Sequence, residues 1–250
     1  MAHEACRHAD IHNVGMETFR YRVGAREYDV YKLGHEGPPV ILLHEMPGMS
    51  AESIRLGQML AAEKFTVYMP LFFDAPGKAR ILRNGIVGAA GGHFSMFARA
   101  EASPAVEWVR GFGAELFARH GGTKVGVIGQ CATGNFAVPL AKESWFGAGV
   151  LSQPAIPLFS KSATGLADAD FASAEKATLL YFRFRDDTIS TQARLDAFKH
   201  RLPALQETVL QHGCRPKPHA VLAEDYEETN PETVDAFRKV VATFRAKLIR

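Results

Sequence analysis

The chain has 250 residues, 22% of them charged and 47% hydrophobic, with a formal net charge of +2. That is the composition of a globular protein able to bury one sizeable core. Charges of both signs are interspersed, which excludes the one-sided basic footprint of a nucleic-acid binder or of a protein held on an anionic membrane. No apolar run approaches the length of a bilayer span, and the first ten residues lack the apolar stretch of a secretory signal. The cysteines Cys6, Cys131 and Cys214 form a sparse, odd set, which leads us to expect reduced thiols in the cytoplasm. His3, Cys6, His8 and His12 read as a polar terminus rather than a metal site. The expected organisation is a polar segment over 1–18 and one domain over 19–250.

Residues 19–23 and 27–31 alternate large apolar and polar side chains about Gly24-Ala-Arg26, the pattern of a hairpin. Residues 38–43 are continuously apolar, as in a parallel strand covered on both faces. They run into His44-Glu-Met-Pro-Gly48, then Ser50 caps a helix, and 65–70 form the next strand. This is a βαβ unit. Residues 71–102 are irregular, with Phe72, Phe73, Phe94, Met96 and Phe97 among glycines, and serve either as core or as a wall over a site. Ser103-Pro104 starts a helix that ends at His120-Gly-Gly122.

The stretch Val125-Gly-Val-Ile-Gly-Gln-Cys-Ala-Thr-Gly134 carries the chemistry. Its β-branched run reads as a buried strand, and Phe136, Ala137, Val138 and Leu140 beyond the turn read as a helix. Strand, tight turn and helix with a nucleophile at the turn is the layout of a nucleophile elbow, here with Cys131 and with the second glycine one place late. Glycines let strand and helix pass close to a strained nucleophile. The first amides of the helix, Ala132 foremost, can hydrogen-bond an oxyanion, and a helix N-terminus favours thiolate. The competing reading is a buried structural cysteine at a strand end.

Further along, 148–152 and 178–184 read as strands, Thr188 or Ser190 caps a helix to about residue 200, and 207–211 form a last strand. An amphipathic helix from Pro231 closes the chain. The order strand–nucleophile, strand–acid, strand–histidine is that of an α/β hydrolase: a mostly parallel twisted sheet with helices on both faces. A thiol needs a base, and the base needs an acceptor to fix its tautomer. The acid is Asp186 or Asp187. For the base, His219 lies in the loop after the last strand, where the fold places it. His212 ends that strand, and His200 sits at a helix C-terminus, a common structural location.

These residues resemble the dienelactone hydrolase family. The elbow Gly129-Gln-Cys-Ala-Thr-Gly134 looks like its G-x-C-x-x-G, and His44-Glu-Met-Pro-Gly48 like its Q/H-E-x-x-G loop. Asp186-Asp-Thr-Ile189 is similar to its D-x-x-V/I, which favours Asp186 over Asp187, and His219-Ala-Val221 looks like its H-A/S-F/V. The resemblance implies a Cys131–His219–Asp186 triad, an oxyanion hole from the amides of Met46 and Ala132, and no metal or organic cofactor. It also implies a role for Glu45 in holding the resting thiol. Two arginines that bind the substrate carboxylate in dienelactone-opening members have no counterpart here: Pro70-Leu-Phe-Phe-Asp-Ala-Pro-Gly77 contains none, and Ala223 stands at the other place. Phe72 and Phe73 are therefore expected to line an apolar substrate site.

The leading expectation is a hydrolase of a small ester or lactone through an acyl-enzyme, acting as a monomer or weak homo-oligomer. The alternatives are a non-catalytic binding protein on the same fold and a cysteine-elbow amidase or glyoxalase-type enzyme.

Overall fold

A computed structural model describes residues 15–46, 48–72, 103–157 and 160–249. The early His and Cys cluster, Phe73 and the aromatics at 94–97 lie outside these residues. Eight strands form one sheet: β1 (Glu17–Val23), β2 (Arg26–Leu33), β3 (Pro39–Leu43), β4 (Thr66–Leu71), β5 (Val125–Gln130), β6 (Phe146–Ser152), β7 (Leu179–Phe184) and β8 (Gln206–Leu210). Their spatial order is β1-β2-β4-β3-β5-β6-β7-β8. The β1–β2 and β2–β4 pairs are antiparallel, and every pair from β4 to β8 is parallel. The expected hairpin, βαβ unit and strand sequence are all present, with ends differing by one or two residues.

Each central strand is buried on both faces because a helical layer covers each. In β3, Ile41 and Leu43 point into one cluster, and Val40 and Leu42 into the other. The first cluster contains Trp108 and Phe112 of α2 (Pro104–Arg119), Phe171 of α4 (Asp168–Ala174), and Leu195 and Phe198 of α5 (Gln192–Arg201). The second contains Ile54, Leu56 and Leu60 of α1 (Ala51–Ala62), with Phe237, Val240 and Phe244 of α6 (Pro231–Leu248). Ser50 caps α1 by accepting the Ser53 N–H, and Pro104 stands in the first turn of α2. Among the described residues no helix is long and apolar enough to cross a membrane.

Three expectations need correction. The helix after the elbow is not continuous: a 3-10 turn over Cys131–Thr133 leads into a four-residue helix, α3 (Ala137–Leu140). Hydrogen bonds to the third residue back, such as Gly134 N–H to Cys131 O and Phe136 N–H to Thr133 O, wind the segment too tightly for an α-helix, and Pro139 offers no N–H. Few peptide dipoles are therefore aligned behind the cysteine. Helix α5 is capped by Thr191, whose hydroxyl accepts the Arg194 N–H, while the Ser190 hydroxyl is hydrogen-bonded to the Tyr181 hydroxyl. Finally, Cys214 is disulfide-bonded, against the expectation of reduced thiols. Cys131 is free.

Candidate active site

The parallel register brings the chemistry to one edge. Leu43 of β3 pairs with Gly129 of β5. Glu45 and Cys131 therefore each stand two residues past a paired position, and Met46 and Ala132 each three past it. The acid turn follows β7, and the His219 loop follows β8. All four leave the same, carboxyl edge of the sheet, where open α/β sheets bind ligands.

Cys131 has a φ of +50°, the left-handed conformation in which a side chain is strained. Its neighbours enforce this. A Cβ on Gly129 would stand 2.1 Å from the Thr133 carbonyl oxygen, and one on Gly134 would stand 2.8 Å from Pro154 Cα. Glycine is thus required at both places, and the late second glycine is explained by the close pass of Pro154. Thr133 locks the turn: its hydroxyl accepts the Gln130 N–H at 2.9 Å, and its hydrogen faces the carbonyls of Gln130, Leu43 and His44. From the other side, the Ala155 N–H donates to Cys131 O at 3.0 Å.

His219 is held by its ring and its backbone. The ring Nδ1–H donates to Asp187 Oδ2 at 2.7 Å. Nε2 makes no hydrogen bond of ordinary geometry, yet Cys131 is near enough to act on it. Burial pushes the imidazole down, but the hydrogen bond that it donates to Asp187, with the hydrogen bond and charge of Cys131, outweighs this and holds His219 well above its ordinary value. His212 is 84% exposed and pairs with Glu232, so it is surface.

The carboxylate that meets His219 is Asp187, not the expected Asp186. Asp187 is buried, whereas Asp186 is exposed. Asp187 Oδ1 accepts the N–H groups of Ile189 and Ser190 at 2.8 and 2.9 Å, leaving Oδ2 for the histidine. An Asp binding the amides two and three residues on makes a local turn, and only Asp187 has Ser190 at that spacing.

Glu45 is 4% exposed, and its Oε1 has no hydrogen-bond partner among the described residues. Burial, then the charge of Glu224, raises it to about 8, although His219 pulls the other way. It is therefore mostly protonated at neutral pH. His44, next to it, is buried and pulled down to about 4 by desolvation. As neutral imidazole it donates Nδ1–H to Glu45 O at 2.9 Å and accepts the Phe72 N–H on Nε2 at 3.1 Å, tying the ends of β3 and β4 together.

Phe72 does not line the site. It is 4% exposed and packs edge-on against Tyr28 and Trp108, because it continues the inward parity of Tyr68. Met46 and Ala132 directly follow Glu45 and Cys131 at the ends of the paired strands β3 and β5.

Sequence reasoning missed a supporting set. Buried Asp225 accepts the N–H groups of His219 and Ala220 at 2.8 and 3.0 Å, and a two-pronged pair from Arg215 at 2.7 Å. Gln153, at φ +37°, accepts the Val221 N–H on its side chain. Arg183 donates to the carbonyls of Ser190, Arg185 and Asp187. An arginine inside an apolar strand was the available signal for the last; the loop residues gave none.

No family model matches the chain, and no curated protein matches it. Solved structures do. A protein described as a dienelactone hydrolase from Klebsiella pneumoniae has a TM-score of 0.68 at 15% identity, covering 92% of this chain and 98% of its own. A dienelactone hydrolase from Anabaena variabilis gives 0.65 at 13%, covering 95% and 100%. A dienelactone hydrolase-like promiscuous phosphotriesterase from metagenomic libraries gives 0.63 at 18%, covering 93% and 98%. At such identities the likeness establishes the fold, which is that of the α/β hydrolases.

Proposed function

We propose that this chain is a dienelactone hydrolase-like enzyme that cleaves a small neutral ester or lactone, with Cys131 as nucleophile, His219 as base and Asp187 as its orienting acid. The observation that carries this reading is the 2.7 Å bond from His219 Nδ1 to Asp187 Oδ2, with the opposite ring nitrogen acted on by a cysteine in a strained elbow.

Sulfur, its proton passed to His219, attacks the carbonyl carbon. The C=O electron pair moves to oxygen, where the amides of Ala132 and Met46 receive it. Collapse expels the alkoxide, which takes the proton from His219 and leaves a thioester. Water, deprotonated by His219, then attacks the thioester, and sulfur departs as thiolate and recovers the proton. Asp187 fixes the tautomer throughout. Neutral Glu45 supplies a group beside the resting thiol without adding a like charge.

A neutral substrate is favoured because, among the described residues, three arginines of the surrounding loops and strands are already engaged. Arg183 and Arg194 donate to backbone carbonyls, and Arg215 to Asp225 and Glu224. A carboxylate entering the site would lack a guanidinium fork. The test is kcat/KM for an uncharged lactone beside its carboxylated analogue, in wild type and Cys131→Ala. The expected result is a preference for the neutral compound of about tenfold or more, and loss of both activities in the variant. A preference for the free acid that Arg185→Ala abolishes would overturn the substrate reading.

A further inference from the structure

Arg194 lies in the first turn of α5 and is 1% exposed. A guanidinium has five N–H donors. All five are used, each on a backbone carbonyl: Nε to Ala163 at 3.0 Å, Nη1 to Pro154 at 3.0 Å and Ile189 at 2.9 Å, and Nη2 to Pro157 at 2.7 Å and Ser160 at 2.5 Å. No carboxylate among the described residues pairs with it. A buried, unpaired cation costs stability, and an apolar side chain of similar volume would fill the space more favourably.

The carbonyls come from two segments. Pro154 adjoins Ala155, whose N–H donates to Cys131 O, and its Cα is the atom that Gly134 must clear. Ile189 is the residue whose N–H donates to Asp187 Oδ1. The path from nucleophile to acid therefore runs Cys131, Ala155, Pro154, Arg194, Ile189, Asp187, through hydrogen bonds and adjoining peptides only. Both segments follow sheet strands that end beside one another, since Ser152 of β6 pairs with Phe182 of β7. Arg194 spans the gap beyond that pair.

We infer that Arg194 is a positioning residue that sets the spacing between the nucleophile elbow and the acid turn, and so the alignment of His219 on Asp187 and Cys131. Lysine, with three donors in a compact head, cannot hold five carbonyls from two segments. Misplacement of the order of an ångström in such a site costs about a hundredfold in rate.

This rests on the reading of Cys131 and His219 as catalytic groups, so one arm of the test is independent of activity. In wild type, the His219 Nδ1 proton should give a low-field proton resonance, identified by its loss in His219→Ala. In Arg194→Ala that resonance should shift or broaden, and millimolar guanidinium should restore it where equal urea does not. In the kinetic arm, Arg194→Ala and Arg194→Lys should lose about tenfold to a hundredfold in kcat with KM within about threefold, and guanidinium should rescue the alanine variant alone. An unchanged resonance and kcat in a folded Arg194→Ala overturns the inference. So does failure of both variants to fold with or without guanidinium, which would make Arg194 a determinant of the fold alone. If wild type shows no Cys131-dependent hydrolysis, the proposed function fails, and the resonance arm still decides the role of Arg194.

Discussion

At the scale of single residues, two adjacent aspartates separate by burial and bonding. Asp187→Asn should keep its turn, since an amide oxygen can accept the Ile189 and Ser190 N–H groups. It would then present NH2 to His219 and force the wrong tautomer. Steady-state kinetics should show a loss on the order of a thousandfold or more in kcat, against about threefold or less for exposed Asp186→Asn. Glu45 gives a pH prediction. Its folded-state value of about 8 lies above the ordinary carboxyl range, so between the two the folded chain holds a proton that the unfolded chain has released. Stability from this group is full below the ordinary value and falls as pH rises towards 8. Glu45→Gln should therefore gain stability relative to wild type at pH 9 over pH 5, by up to a few kcal/mol, read from urea midpoints. A constant difference across that range would show that the carboxyl is not held neutral.

At the scale of elements, the elbow was legible and the acid loop was not. Strand β5, its abrupt end and its glycines are written in residue types whose demands are local: β-branched side chains for the strand, and no Cβ where Thr133 O and Pro154 pass. His219 was preferred to His212 from loop position, and its bond to Asp187 agrees with that preference. The choice of Asp186 followed a motif register, but a turn of two adjacent acids is decided by which one finds the amides at Ile189 and Ser190. Phe72 was misread as site wall although strand parity with Tyr68 pointed inward. Asp225, Gln153 and Arg194 were illegible because each binds backbone groups brought close only by the fold. The elbow itself is testable. Gly129→Ala drives a methyl onto backbone and should cost about 1–3 kcal/mol or more with loss of activity. Gly24→Ala, in the β1–β2 turn with nothing within 4 Å, should cost only the left-handed penalty of about 1–2 kcal/mol and spare activity. Equal urea midpoints and activities for the two variants would show that the close pass at Gly129 does not shape the site.

At the scale of the whole molecule, two helical layers bury both faces of the sheet, and its carboxyl edge carries every group that the proposed chemistry needs. The rigid centre, β3 and β5, presents Glu45, Met46, Cys131 and Ala132 in fixed register. The base and acid come from loops beyond β7 and β8, and buried polar side chains, Arg183, Arg194, Gln153 and Asp225, hold them in place. This division explains why fold and nucleophile can be read from sequence while their alignment cannot. The central claim is that Cys131 forms a covalent acyl intermediate. The most direct measurement is intact-mass analysis of enzyme quenched during turnover of an activated neutral ester, followed by peptide mapping. The account predicts an acyl-sized mass increase on the Cys131 peptide, accumulating in His219→Ala because acylation by the activated ester outpaces deacylation, and absent in Cys131→Ala, which should lose on the order of a million-fold in rate. Hydrolysis that proceeds without an adduct and survives in Cys131→Ala would contradict it.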